Sequence, residues 1–200
     1  MNRGLVRVSR DAVGDACYIA GDLTTTGKQD VPYEILFEAY REQIAVLADA
    51  GVDLLIAETM LGVDEVMAVI DAAAAVCELP VMCTLTVESD GSLFFGGNIY
   101  DAVETLEQMG ADAVGINCST GPDQLVSVVK NIREKVSIPV IVKPNAGMPV
   151  IDDKGNAVYS MGAGEFAEHM KVLVEAGANI VGGCCGTTPE YIRRLADILK

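Results

Sequence analysis

The chain has 200 residues, 50% of them hydrophobic, with six cysteines and a formal net charge of −15. That length supplies one substantial core, and the acidic balance, with no cluster of Lys and Arg, argues against nucleic acid or anionic membrane as a partner. No apolar run reaches the length of a membrane span, Met1 to Asp11 lacks the apolar core of a signal peptide, and the cysteines are too sparse for a disulfide scaffold, so a cytoplasmic chain is expected.

Short apolar runs alternate with longer amphipathic ones along the chain. Met1 to Ala12 resembles the tail of a helix. Ala16 to Leu23 then reads as a strand, Tyr33 to Ala50 as a helix, Val52 to Glu58 as a strand and Val63 to Glu78 as a helix. Pro80 to Val87 is the next strand, followed by a helix from Ile99 to Met109, the strand Ala113 to Cys118, a helix from Pro122 to Val136 and the strand Pro139 to Lys143. A helix from Glu165 to Glu175, the strand Asn179 to Cys184 and a helix from Pro189 to Leu199 complete six β/α units. A weak repeat marks three of the helix-to-strand joints: Ala50-Gly51-Val52-Asp53, Met109-Gly110-Ala111-Asp112 and Ala176-Gly177-Ala178-Asn179. Each glycine suits the left-handed position just past a helix end.

Strand-helix alternation with nearly continuous apolar strands implies a parallel sheet covered by helices. The expected fold is α/β, a (β/α)8 TIM-type barrel lacking its first two β/α units, with an open parallel α/β sheet as the alternative. Residues 1–200 are expected to form one domain, N-terminally truncated relative to a full barrel. Unpaired strand edges would then favour self-association or a complementing N-terminal fragment.

Both folds place their sites at the carboxyl ends of the strands, where Glu58, Cys118, Asn145 and the Cys184-Cys185 pair fall. Neighbouring side chains on a regular strand point to opposite faces, so Cys184 and Cys185 share a ligand only where the backbone leaves extended geometry, as Gly182, Gly183 and Gly186 permit. Three thiols at strand ends suggest one metal site, and three protein ligands without an obvious fourth is the pattern of catalytic rather than structural zinc. Three thiolates leave such a centre electron-rich, suited to holding a substrate thiol as a thiolate rather than to activating a carbonyl. Thr188 can cap the last helix, with Pro189 at its first position. Cys17, Cys77 and Cys83 read as core or helix-face residues, and Asp152 to Asn156 as a hairpin-like turn rather than a calcium loop. Gly91 to Gly97 is not a P-loop and reads as a strand-end loop lining the pocket.

Gly115-Ile116-Asn117-Cys118, Lys143-Pro144-Asn145-Ala146-Gly147 and Gly182-Gly183-Cys184-Cys185-Gly186-Thr187-Thr188-Pro189-Glu190-Tyr191-Ile192 resemble the signatures of the homocysteine S-methyltransferase family, with Ala20-Gly21-Asp22 and Ile56-Ala57-Glu58-Thr59 in the expected order. The resemblance implies a zinc-dependent methyl transfer to homocysteine that yields methionine, with Cys118, Cys184 and Cys185 as the metal ligands. It also implies that Glu58 binds the amino group of homocysteine, and it makes Asn117 and Asn145 substrate-side candidates, with turn formation as their alternative role. Asn145 is in addition a candidate weak fourth ligand. The methyl donor would be a methyl-corrinoid protein, betaine or S-methylmethionine, a corrinoid being available only from a separate domain or protein. The chain departs from the family in having no Asp-Gly-Ala/Gly-Met-Gly-type loop after a first strand, and Met161-Gly162-Ala163-Gly164 replaces a more usual Thr-Pro. The rival readings are a non-catalytic zinc-binding fragment, one half of a split methyltransferase, or a methyltransferase acting on another thiol or selenol.

Overall fold

The computed structural model describes residues 1–200. In chain order the elements are α1 (Asn2–Val13), β1 (Ala20–Thr24), α2 (Tyr33–Asp49), β2 (Leu54–Met60), α3 (Val63–Val76), β3 (Val81–Leu85), α4 (Ile99–Gln108) and β4 (Ala113–Cys118). Then come α5 (Val126–Lys135), β5 (Val140–Pro144), β6 (Pro149–Ile151), β7 (Ala157–Tyr159), α6 (Ala163–Glu175), β8 (Ile180–Val181) and α7 (Pro189–Ile198). No helix is long and apolar enough to cross a membrane.

Six strands form one parallel sheet in the order β1-β2-β3-β4-β5-β8. Each strand is added beside the one before it, always on the same side. A doubly wound sheet reverses direction at a switch point and this one does not, so its order is that of a barrel wall. The wall is not closed, because β1 and β8 each have a single neighbour.

Right-handed crossovers in a sheet of constant direction put every helix on the same face. The strand residues that join the main core alternate accordingly: Leu55 and Ala57, Cys83 and Leu85, Val114 and Ile116, Val140 and Val142 pack with Ile44, Val69, Leu106, Ile132 and Phe166 from the helices. The intervening residues, among them Asp22, Ile56, Glu58, Ala113, Asn117, Ile141 and Lys143, face the inner side of the wall.

The repeat at the helix-to-strand joints has a structural counterpart. Gly51, Gly110 and Gly177 have φ of 86°, 97° and 118°, and the residue two positions later reaches across the sheet. Asp53 accepts the Ile19 N–H, Asp112 the Val81 N–H and Asn179 the Val140 N–H. Each side chain thus occupies the backbone donor at the start of the adjacent strand.

Several expected boundaries shift. The first strand starts at Ala20 rather than Ala16, and Cys17 is exposed rather than in the core. The helix expected from Pro122 is a one-turn 3-10 segment, Pro122–Gln124, followed by α5. Met1 to Ala12 belongs to a complete helix, α1, whose Arg10 pairs with Asp53. Thr188 occupies the cap position of α7, but its hydroxyl makes no capping bond. The Asp152 turn joins the antiparallel pair β6–β7, its carboxylate accepting from the Lys154 and Asn156 amides. The last strand keeps regular pairing only over Ile180–Val181, not to Cys184. Beyond it the chain follows β5 through isolated bonds, Gly182 N–H to the Val142 carbonyl and Cys184 N–H to the Pro144 carbonyl.

Candidate metal centre

That loss of regular pairing lets two adjacent cysteines point at one place. Cys184 and Cys185 have their sulfurs 4.0 Å apart, a proximity that extended backbone forbids. Gly186, at φ 80°, turns the chain immediately afterwards, and a Cβ there would fall 2.3 Å from the Tyr159 ring. The hairpin β6–β7 therefore closes on the cysteine loop through Tyr159.

The third thiol arrives on a strained turn. β4 ends at Cys118, and Cys118 and Ser119 both adopt the left-handed region, with φ of 59° and 65°. Such geometry is costly for residues with a Cβ and concentrates at functional sites. It swings the Cys118 sulfur to 3.9 Å from that of Cys185, and all three sulfurs lie within 4.8 Å of one another. Zinc bound to thiolate at about 2.3 Å in tetrahedral geometry needs sulfurs about 3.8 Å apart along each edge. The donor set and its spacing fit that ion.

The asparagines organise this cluster. Asn145, buried, accepts the Cys185 N–H at 3.0 Å through Oδ1 and donates from Nδ2 to the Ser119 carbonyl, tying the two cysteine loops together. Asn117, also buried, accepts the Thr59 N–H at 2.8 Å, and its Nδ2 lies 2.7 Å from Thr59 Oγ1, 3.7 Å from Cys184 Sγ and 3.5 Å from Glu58 Oε1. Thr59 is itself left-handed, at φ 59°, an outlier for a β-branched residue. Asn117 thus holds a second strained strand end and joins it to the thiols.

Glu58 faces the inner side of the wall and forms an ion pair with Lys143. Asp22 lies on the adjacent strand, and its carboxyl is raised above the usual range, first by burial and then by the charge of Glu58, against the opposing pull of Lys143. Asp22 and Lys143 stand within the quoted motifs, but the sequence reading gave them no part in the site. Lys143 is the only Lys or Arg within the six sheet strands, and that was its available signal.

Among the thiols, Cys184 is pulled down to about 6, chiefly by the hydrogen bond from Cys118 and further by Asn117 and the Cys185 amide, against the effect of burial. Cys118 is pushed up by that same hydrogen bond, by burial and by its sulfur neighbours. Cys83, fully buried in the core, is pushed up to about 12 by desolvation and is chemically separate.

A cavity of about 490 Å³ opens beside Cys118 and Cys185, with Phe94, Met148 and Tyr159 on its walls. Thr86 and Thr120 also line it, both with buried hydroxyls that lack hydrogen-bond partners. The glycine-rich loop from Gly91 contributes Phe94, as its position at a strand end suggested.

Known proteins resemble this chain in sequence and in fold. The profile of the family described as homocysteine S-methyltransferase matches residues 1–199. The methionine synthases of Mycobacterium leprae and Mycobacterium tuberculosis are each 36% identical over 170 residues, which is 82% of this chain and 14% of theirs. The chain therefore spans about a seventh of those relatives' length. The apo crystal structure of the homocysteine methyltransferase MmuM from Escherichia coli superposes with a TM-score of 0.78 at 24% identity, covering 98% of this chain and 73% of that one. Its metallated form gives 0.76 at 22% identity, over 98% and 66%.

Proposed function

This chain belongs to the homocysteine S-methyltransferase family, and from that membership we propose that it binds zinc through Cys118, Cys184 and Cys185 and methylates the sulfur of homocysteine to give methionine. The observation that carries the reading is the convergence of three thiols at the carboxyl end of β4 and beyond that of β8, two of their separations being 3.9 and 4.0 Å, near a tetrahedral edge, and all lying within 4.8 Å of one another. When bound there, zinc supplies the acidity that keeps a coordinated substrate thiol deprotonated at neutral pH.

The chain's own residues supply binding and orientation. Asn145 holds the Cys118 and Cys185 loops in register. Its Oδ1 already accepts one amide, so a role as weak fourth ligand would fall to the remaining lone pair. Asn117 positions Thr59 and Cys184, and Glu58 offers a carboxylate to the substrate ammonium. Transfer would be a direct displacement, in which the homocysteine sulfur forms its bond to the methyl carbon as the donor's bond to that carbon breaks and the demethylated donor leaves with the electron pair. The cavity beside Cys118 and Cys185 gives the donor its approach. The donor is a methyl-corrinoid carried by a separate domain or protein, betaine or S-methylmethionine.

X-ray absorption on the purified, zinc-loaded chain tests this reading. One zinc per chain with three sulfur neighbours, rising to four on addition of homocysteine, is the expected result. Replacing any of the three cysteines by alanine should abolish stoichiometric zinc. A protein without zinc, or a zinc whose sulfur count ignores homocysteine, would overturn the proposal.

A further inference from the structure

Lys143 breaks the pattern of the inner face. The six sheet strands hold no other Lys or Arg, yet this one stands near the carboxyl end of β5, beside the strand that ends in Cys118. Its register partner on β4 is Asn117, whose amide nitrogen is 3.7 Å from Cys184 Sγ and 3.5 Å from Glu58 Oε1. Its ammonium pairs with Glu58, both side chains being only about one-fifth exposed, at 20% and 23%. Its stem runs past Gly182, where an added Cβ would fall 3.3 Å from Lys143 Cγ, so a glycine there leaves room for it. The cation is therefore paired and partly desolvated, a costly arrangement unless its charge is used.

The reading of Glu58 as the ammonium site raises a difficulty that Lys143 itself resolves. An ammonium arriving at Glu58 meets a second ammonium already bound there, and like charges at contact distance in a partly buried site repel strongly. The approach becomes favourable only if the incoming molecule brings an anion for Lys143. An amino acid does so, because its carboxylate and ammonium share one carbon. Homocysteine has two methylene groups between that carbon and its sulfur, which suits a zwitterion lodged at Glu58 and Lys143 and a sulfur beside Cys184.

We infer that Lys143 binds the α-carboxylate of the acceptor amino acid while Glu58 binds its ammonium. The protein's own ion pair is exchanged for an alternating ring of four charges. The number of ion pairs does not fall, and the site selects for a zwitterion over a thiol carrying either charge alone. This inference rests on the proposed homocysteine-binding function.

Calorimetric titration of the zinc-loaded chain with three thiols tests it: homocysteine, 3-aminopropanethiol, which lacks the carboxylate, and 4-mercaptobutanoate, which lacks the ammonium. Lys143→Met should weaken homocysteine roughly 10- to 100-fold, the range for losing a hydrogen bond to a charged group. It should leave 3-aminopropanethiol unchanged or tighter, since a repelling charge has gone. Glu58→Gln should do the converse, sparing 4-mercaptobutanoate, and Lys143→Arg should keep most of the homocysteine affinity. Zinc content, measured on every variant, keeps damage to the metal centre visible. If Lys143→Met weakens homocysteine and 3-aminopropanethiol alike, Lys143 only positions Glu58 and the inference fails; if it weakens neither, it fails as well. A wild-type chain that holds zinc and ignores homocysteine overturns the acceptor reading and this inference with it, whereas homocysteine binding that is indifferent to Lys143 overturns the inference alone.

Discussion

Asn117 shows how much of the site depends on a side chain that is not one of the proposed metal ligands. Its carbonyl holds the amide of left-handed Thr59, and its nitrogen spans Thr59, Glu58 and Cys184. The sequence marked it as a turn former or a substrate-side residue, because asparagine at a strand end suits either role. What it could not show is that the partner is a strained residue 58 positions earlier, a relation created only when β2 and β4 flank β3. Removing the amide orphans a backbone donor and frees Cys184 from a neighbour that orients it. Asn117→Ala should therefore lower zinc affinity roughly 10- to 100-fold, the usual effect of losing a residue that orients a ligand, as measured by competition with a chromogenic chelator. Unchanged affinity would mean that Asn117 serves the fold of the strand ends and not the metal.

At the scale of elements, the strand-helix alternation was legible because strands covered by helices on one face and bearing apolar side chains on both read as short apolar runs. The glycines of the helix-to-strand repeat were legible too, since a helix end in the left-handed region calls for glycine. The role of Asp53, Asp112 and Asn179 was not, because their acceptors serve neighbouring strands and no local pattern names the neighbour. Gly115 is a further case. It read only as part of a motif, yet a Cβ there would sit 1.9 Å from the Ile141 carbonyl oxygen. β4 can lie against β5 at this point only without a side chain. Gly164, in α6, has no neighbour within 4 Å of its Cβ direction and no positive φ. The two glycines should respond to alanine with opposite signs in urea unfolding. Gly115→Ala should cost about 2–3 kcal/mol through forced separation of the strands, and Gly164→Ala should gain about 0.5–1 kcal/mol from helix propensity. Stabilisation by both would show that β4 and β5 have slack at Gly115.

For the whole molecule, the decisive feature is a barrel wall with two open edges. Sequential strand order distinguishes it from a doubly wound sheet, a distinction that counting β/α units left open, since six units suit either arrangement. The inner face is polar at the carboxyl ends of the strands, where the site lies, and apolar at the opposite end. There Tyr18, Leu54, Met82, Ala113, Pro139 and Ile180 border a cavity of about 410 Å³. β8 offers two regularly paired residues and an unpaired side, while α1 and α7 each bury a single residue, Val6 and Leu195. Exposed edges beside apolar surface associate, so the chain should show concentration-dependent self-association by light scattering. Ile180 belongs to both the edge strand and the apolar floor and is 37% exposed. Ile180→Lys places a charge where another strand would pair, so it should shift the chain towards monomer. Zinc stoichiometry should remain unchanged, because Ile180 opens β8 on the apolar floor, away from the thiols beyond the carboxyl end of that strand. Loss of zinc together with loss of association would mean that closing the wall also shapes the metal centre, and unchanged association would place the contact on α1 or α7 instead.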